Sequence, residues 1–197
     1  MNDNTSLGTA MDPALESAQA TPKRSGTTLL IGIVAVVGVL LLVVFYYGVL
    51  NPPSQRVGSG AAPPVVFTTY DGERIDIADY RGTPIVINFW ASWCNPCRDE
   101  QPILEAAWRR HKGEVLFIGL SYLDQEKNAR AYMEEFDVTY PNGPDMGSRI
   151  YTAYHVQGVP ETFFIDANGN VQGFHVGPIS AEELERRIQE LKKTAAQ

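Results

Sequence analysis

The sequence predicts an α/β domain built on a mixed sheet and preceded by one membrane-spanning helix. Three observations carry that prediction. An uncharged apolar run occupies Thr27–Leu50. The heptapeptide "PIVINFW" (84–90) is almost continuously apolar, the pattern of a strand buried on both faces. Strand-like and helix-like stretches then alternate from Val65 to the end of the chain.

At 197 residues the chain suits one domain with additional segments. Its composition, 44% hydrophobic and 20% charged, is that of a globular protein. A net charge of −7 with no basic stripe argues against a nucleic-acid surface.

Residues 1–26 are polar and rich in Ser, Thr and Ala, which predicts a disordered cytoplasmic tail. The apolar run of 27–50 would span about 36 Å as a helix, enough for a hydrocarbon core of about 30 Å. Tyr46 and Tyr47 lie near its far end, where aromatic belts form. A cleaved signal peptide is the competing reading, since Gly58 and Gly60 resemble a small-residue cleavage site. Its apolar region would be about 7–15 residues, shorter than this one. No cysteine directly follows the run to take a lipid, so the expectation is a retained signal anchor. Lys23 and Arg24 precede the run and only Arg56 follows closely. Positive charge stays inside, which places the amino terminus in the cytoplasm and the rest outside the cell membrane. Residues 51–64 have the Pro/Gly/Ser content of a linker, and 65–197 are of single-domain size.

Within that domain, "VVFTTYDGERIDI" reads as a β-hairpin around Asp71-Gly72. The 84–90 strand follows, then a helix from near Cys94 to about His111, kinked at Pro102 where an amide donor is missing. "EVLFIGLS" supplies the next strand, completing a right-handed parallel crossover. "QEKNARAYMEEF" puts Ala129, Tyr132, Met133 and Phe136 on one helical face, a core-packing stripe, and "SRIYTAYHV" suggests a short helix. "ETFFID" and "NVQGFHV" flank Asn168-Gly169, a hairpin signal. The last segment carries a helix-start capping box, Ser180 with Glu183, and an Ile179/Leu184 staple.

Only two cysteines are present, Cys94 and Cys97 in "FWASWCNPCRDEQP". As a structural staple they would close a four-residue ring, which restrains almost nothing in the unfolded chain. As a zinc site they lack partners: there is no second CxxC, and His111, His155 and His175 are scattered singly. No metal and no cofactor are therefore expected. A redox couple has positive grounds. A CxxC pair at a strand-to-helix junction sets the first sulfur by the unpaired amides of the helix start, which favour a thiolate on Cys94. The second thiol lies one turn on, within reach of a mixed disulfide. The end of a parallel strand is also where open α/β sheets place their chemistry. In "GVPETFF", Pro160 precedes a strand, where a cis or a trans bond would serve equally.

The run around the two cysteines, the strand before it and "GVPETFFID" resemble the membrane-anchored thioredoxin-like disulfide reductases of the TlpA/ResA/CcmG group, which serve cytochrome c biogenesis. The likeness covers about 65–193. It implies a thioredoxin-like fold with an N-terminal β-hairpin and a helical insertion around Tyr132. It implies Cys94 as exposed nucleophile, Cys97 as resolver and a cis Val159–Pro160 bond against the redox-active disulfide. Glu100 matches the group's proton-handling acid. Glu161 resembles a variant of the cytochrome c maturation reductants, with a surface role also open. Trp93 matches the aromatic flanking the site, and Trp90 reads as core.

The function so implied is an extracytoplasmic thiol–disulfide oxidoreductase that reduces protein disulfides, those of apocytochrome c or of a maturation factor. Its electrons would come from a polytopic membrane thiol-reducing protein. The alternatives are a disulfide-forming oxidant, which reduction potential would distinguish; a copper-handling protein of the same superfamily, which would favour CxxxC and a dedicated histidine; and a non-enzymatic binding module.

Overall fold

The structure, a computed structural model, describes residues 26–50 and 58–195. The expected tail, up to residue 25, and residues 51–57 of the expected linker lie outside the described residues. The chain divides into two compact units, Met1–Pro52 and Pro53–Gln197.

In the first unit, helix α1 (Gly26–Leu50) is the one helix among the described residues long and apolar enough to cross a membrane. From Leu29 to Tyr47 its large apolar side chains are exposed all round, as suits a helix whose solvent is lipid rather than water. With the Lys23/Arg24 flank, this is the N-terminal anchor of a type II membrane protein with its second unit outside the cytoplasm.

The second unit runs β1 (Gly60–Ala61), β2 (Val66–Thr68), β3 (Arg74–Asp76), β4 (Ile85–Trp90), α2 (Asn95–His111), β5 (Leu116–Ser121), α3 (Glu126–Glu135), β6 (Asn142–Pro144), α4 (Arg149–Ala153), β7 (Glu161–Ile165), β8 (Asn170–Val176) and α5 (Ala181–Ala195). Six strands form one mixed sheet in the order β1-β8-β7-β4-β5-β6, and β2 and β3 pair separately as the expected N-terminal hairpin. β4 runs parallel to β5 and antiparallel to β7. This is the mixed-sheet thioredoxin-like fold.

β4 is buried along its whole length because both faces are covered. Successive side chains of a strand point to opposite faces. Ile85, Ile87 and Phe89 accordingly join one core cluster with Tyr154 of the loop after α4 and Phe163 of β7. Val86 joins another, with Leu104 of α2 and Leu184 and Ile188 of α5. A third cluster gathers Trp90, both cysteines, Ala129 and Tyr132, with Met133 and Phe136 packed against it. The helical stripe read from the sequence is thus core packing.

Two strands lie where no strand was expected. β1 falls inside the segment expected to be linker and pairs Gly60 with Val171 and Ala61 with Asn170. β6 pairs Asn142–Pro144 with the far edge of β5. The capping box of α5 forms by half: the Glu183 amide donates to Ser180 Oγ at 3.2 Å. The Glu183 carboxylate turns instead to Arg186 and Arg187, one turn on.

Candidate redox site

β4 ends at Trp90, and a short turn brings Cys94 to the N-cap of α2 with extended backbone angles. Its Sγ accepts the Cys97 amide at 3.2 Å. Pro96 sits in the first turn, where a helix has no use for the missing amide. Cys94 and Cys97 are joined as a disulfide. The Val159 carbonyl oxygen lies 3.5 Å from Cys94 Sγ, and the Val159–Pro160 bond is cis.

The likeness implied an exposed Cys94. In the disulfide-bonded structure it is only 3% exposed, because the Val159 loop and the Trp90–Tyr132 cluster cover it. Trp93, its neighbour, is 59% exposed and donates its indole N–H to the Leu123 carbonyl at 3.3 Å.

Glu100 lies one turn beyond Cys97 on α2 and is buried, not solvated. Its Oε1 accepts the Asn88 amide at 2.7 Å, and its Oε2 accepts the Ile179 backbone N–H at 2.9 Å. Burial raises its pKa to about 7, opposed by those two donors, which favour the carboxylate. The group is therefore poised to change charge near neutral pH.

Glu161 is fully buried at the start of β7, which lies between β4 and β8 in the sheet. Its Oε2 accepts the Gln157 amide at 3.3 Å. Its burial removes the surface role left open by the sequence.

Two residues, Asn88 and Asp124, and the hydroxyl contact of Tyr132 escaped the sequence reading. Asn88 hydrogen-bonds both Glu100 and Thr162, tying β4, α2 and β7 together under the couple. Its signal was present: it is the lone amide in an otherwise apolar strand, and a buried amide must find partners. Asp124 and the Tyr132 hydroxyl reach the CxxC segment from 30 or more residues away, and no sequence period marks such contacts. Among the described residues no group of three or more His, Cys, Asp or Glu side chains converges as a metal site would.

The AhpC/TSA family profile matches residues 59–174, more than half of the chain. The chain belongs to the AhpC/TSA family. The thioredoxin-like protein YneN of Bacillus subtilis is 31% identical over 130 residues, covering 64% of this chain and 76% of that protein. The thiol-disulfide oxidoreductase ResA of Geobacillus kaustophilus is 29% identical over 167 residues, covering 84% and 94%. The crystal structure of a secreted Mycobacterium tuberculosis disulfide oxidoreductase homologous to DsbE superposes with a TM-score of 0.60 at 26% identity, covering 64% and 96%.

Within the AhpC/TSA family the chain is a thioredoxin-fold disulfide oxidoreductase related to the ResA/DsbE/CcmG type. Its CxxC pair is the redox-active element, and its substrates are protein disulfides.

Proposed function

We propose that this protein is a membrane-anchored reductant that opens disulfides in a narrow set of extracytoplasmic clients. The clients are apocytochrome c, whose CxxCH thiols must be free for haem attachment, or a maturation factor that handles it. In this reading the Cys94 thiolate attacks one sulfur of the client disulfide. A Cys94–client bond forms, and the client's other sulfur leaves as a thiolate and takes a proton. The Cys97 thiol then loses its proton, with Glu100 as the proposed acceptor, and attacks Cys94 Sγ. The client's second sulfur leaves, and the Cys94–Cys97 disulfide remains. The client has gained two electrons and the couple has lost two. A polytopic membrane thiol-reducing protein restores the dithiol by the same exchange in reverse, and tethering both to one membrane raises their effective concentration.

The observation that carries the direction of electron flow is Glu100, buried one turn from Cys97 with its pKa near 7. A carboxylate so placed disfavours a second negative charge on a nearby sulfur. The Val159 carbonyl against Cys94 Sγ works the same way, since its oxygen repels a thiolate. Strong oxidants of this fold stabilise the thiolate heavily instead. The names of the ResA and DsbE-like relatives, both oxidoreductases of disulfides, support thiol–disulfide exchange as the chemistry.

The test is equilibration of the protein against glutathione and dithiothreitol buffers. The expected potential is within about 60 mV of thioredoxin's −270 mV, or about a hundredfold in equilibrium constant. A potential near −120 mV, with Cys94 titrating near pH 3.5, overturns the direction and leaves the fold standing. A Cys97→Ala variant should accumulate the mixed disulfide and so identify the client.

A further inference from the structure

The segment from Asp124 to Tyr132 grips the CxxC run at both ends. On one side, Asp124 Oδ2 accepts the Ser92 amide at 2.5 Å and Oδ1 accepts the Ser92 hydroxyl at 2.8 Å, two residues before Cys94. The same carboxylate accepts the Gln125 amide at 2.9 Å, so it is fixed to the start of α3. The Trp93 indole bonds to Leu123 beside it, and Leu123 itself holds a left-handed φ of 44°, uncommon for a bulky residue. On the other side, the Tyr132 hydroxyl, carried on α3, donates to the Cys97 carbonyl at 2.8 Å. The Tyr132 ring is clamped by stacking on Trp90, centroid to centroid 4.4 Å.

These contacts have a common geometry. The loop before Cys94 and the carbonyl of Cys97 are both fixed to one external element, α3 with its leading loop. The spacing of two thiols sets their effective concentration for each other, and effective concentration sets how strongly they close into a disulfide. We propose that Asp124 and Tyr132 are positioning residues that hold Cys94 and Cys97 together from outside the active-site helix and so tune the reduction potential of the couple. Neither touches the reacting sulfurs. Loosening either grip lowers the effective concentration, weakens the disulfide and raises the potential.

The experiment uses the full-length chain in detergent, with wild type, Asp124→Ala, Asp124→Asn, Tyr132→Phe and the Asp124→Ala/Tyr132→Phe double variant. Each is equilibrated with glutathione. Two glutathione thiols reduce the Cys94–Cys97 bond and leave as one glutathione disulfide, and their two protons end on the couple's sulfurs. Each truncation is expected to weaken the disulfide about threefold and the double variant about tenfold, about 30 mV upward for two electrons. Asp124→Asn keeps an oxygen for the Ser92 amide and should stay close to wild type. Tyr132→Phe keeps the stacked ring, and Ser92→Ala replaces Asp124→Ala should the latter fail to fold.

Equilibrium constants within twofold of wild type, with only the melting temperature lowered, overturn the proposal and leave α3 as packing. A shift in Asp124→Asn as large as in Asp124→Ala also overturns it, because charge rather than grip would then be responsible. All shifts are read against wild type, so they hold or fail independently of the proposed direction of electron flow.

Discussion

Asn88 at the centre of the sheet donates to Glu100 Oε1 at 2.7 Å, joining a fully buried strand to the acid one turn beyond the redox couple. The contact favours the carboxylate, yet burial outweighs it and the Glu100 pKa stands near 7. The side chain therefore changes charge inside the fold under ordinary conditions.

Stability should record that change. The folded protein keeps a proton on Glu100 that the unfolded chain, with a pKa near the ordinary 4.5, releases. Between pH about 4.5 and about 7 the folded state thus binds more protons, and rising pH favours unfolding. Across that window the loss sums to about 3 kcal/mol, and it levels off above pH 7. In Glu100→Gln this contribution is absent. Urea unfolding of the oxidised domain from Pro53 onward, at pH 4.5 and pH 8, checks this: the variant should gain about 3 kcal/mol on wild type between the two.

Thiol chemistry should respond in a separate way. Above pH 7 the Glu100 carboxylate opposes a thiolate close by, so Glu100→Gln should lower the apparent thiol pKa by about one unit. The inflection near pH 7 in the rate of disulfide exchange should disappear. Alkylation of the reduced domain as a function of pH measures both. Unchanged titration and exchange would assign Glu100 to structure alone.

Gly119 of β5 tolerates no side chain. A Cβ there would stand 1.7 Å from Asn142 Oδ1 and 2.9 Å from Trp90 Nε1, the two atoms that hydrogen-bond each other at 2.9 Å across the sheet. Gly119→Ala should destabilise the domain by about 1–3 kcal/mol through overpacking, seen as a lower urea midpoint with unchanged slope. An unaltered midpoint would mean that the Trp90–Asn142 pair yields without cost.

The apolar helix makes a cellular prediction. The full-length protein should sediment with membranes, and protease added outside the cell should digest the second unit. A soluble form beginning near Ala61 would instead show cleavage after the apolar run.

Strong local patterns made most of this molecule legible. β4 announced itself by an apolar run, the hairpins by Asp71-Gly72 and Asn168-Gly169, and the redox pair by its spacing and its place at a strand end. β1 and β6 were not legible. Gly60–Ala61 and Asn142–Gly143–Pro144 have neither β-branched residues nor periodicity. They are strands only because β8 and β5 offer unpaired edges that the chain happens to pass. The same holds inside the site. Cys94 and Cys97 could be read directly, whereas the burial of Glu161 and the grips of Asp124 and Tyr132 arise from elements that meet only after folding.

The packing of Trp90 and Trp93 around the couple gives the protein an optical signature. Trp90 is buried in the cluster that contains both sulfurs, and Trp93, next to Cys94, stands largely in solvent. A disulfide quenches indole emission at close range, so opening the bond should brighten the protein. The shielded rings, Trp90 and the more distant buried Trp108, emit further to the blue than the wet Trp93. The state of the couple can therefore be followed as light from the native chain, with no label attached.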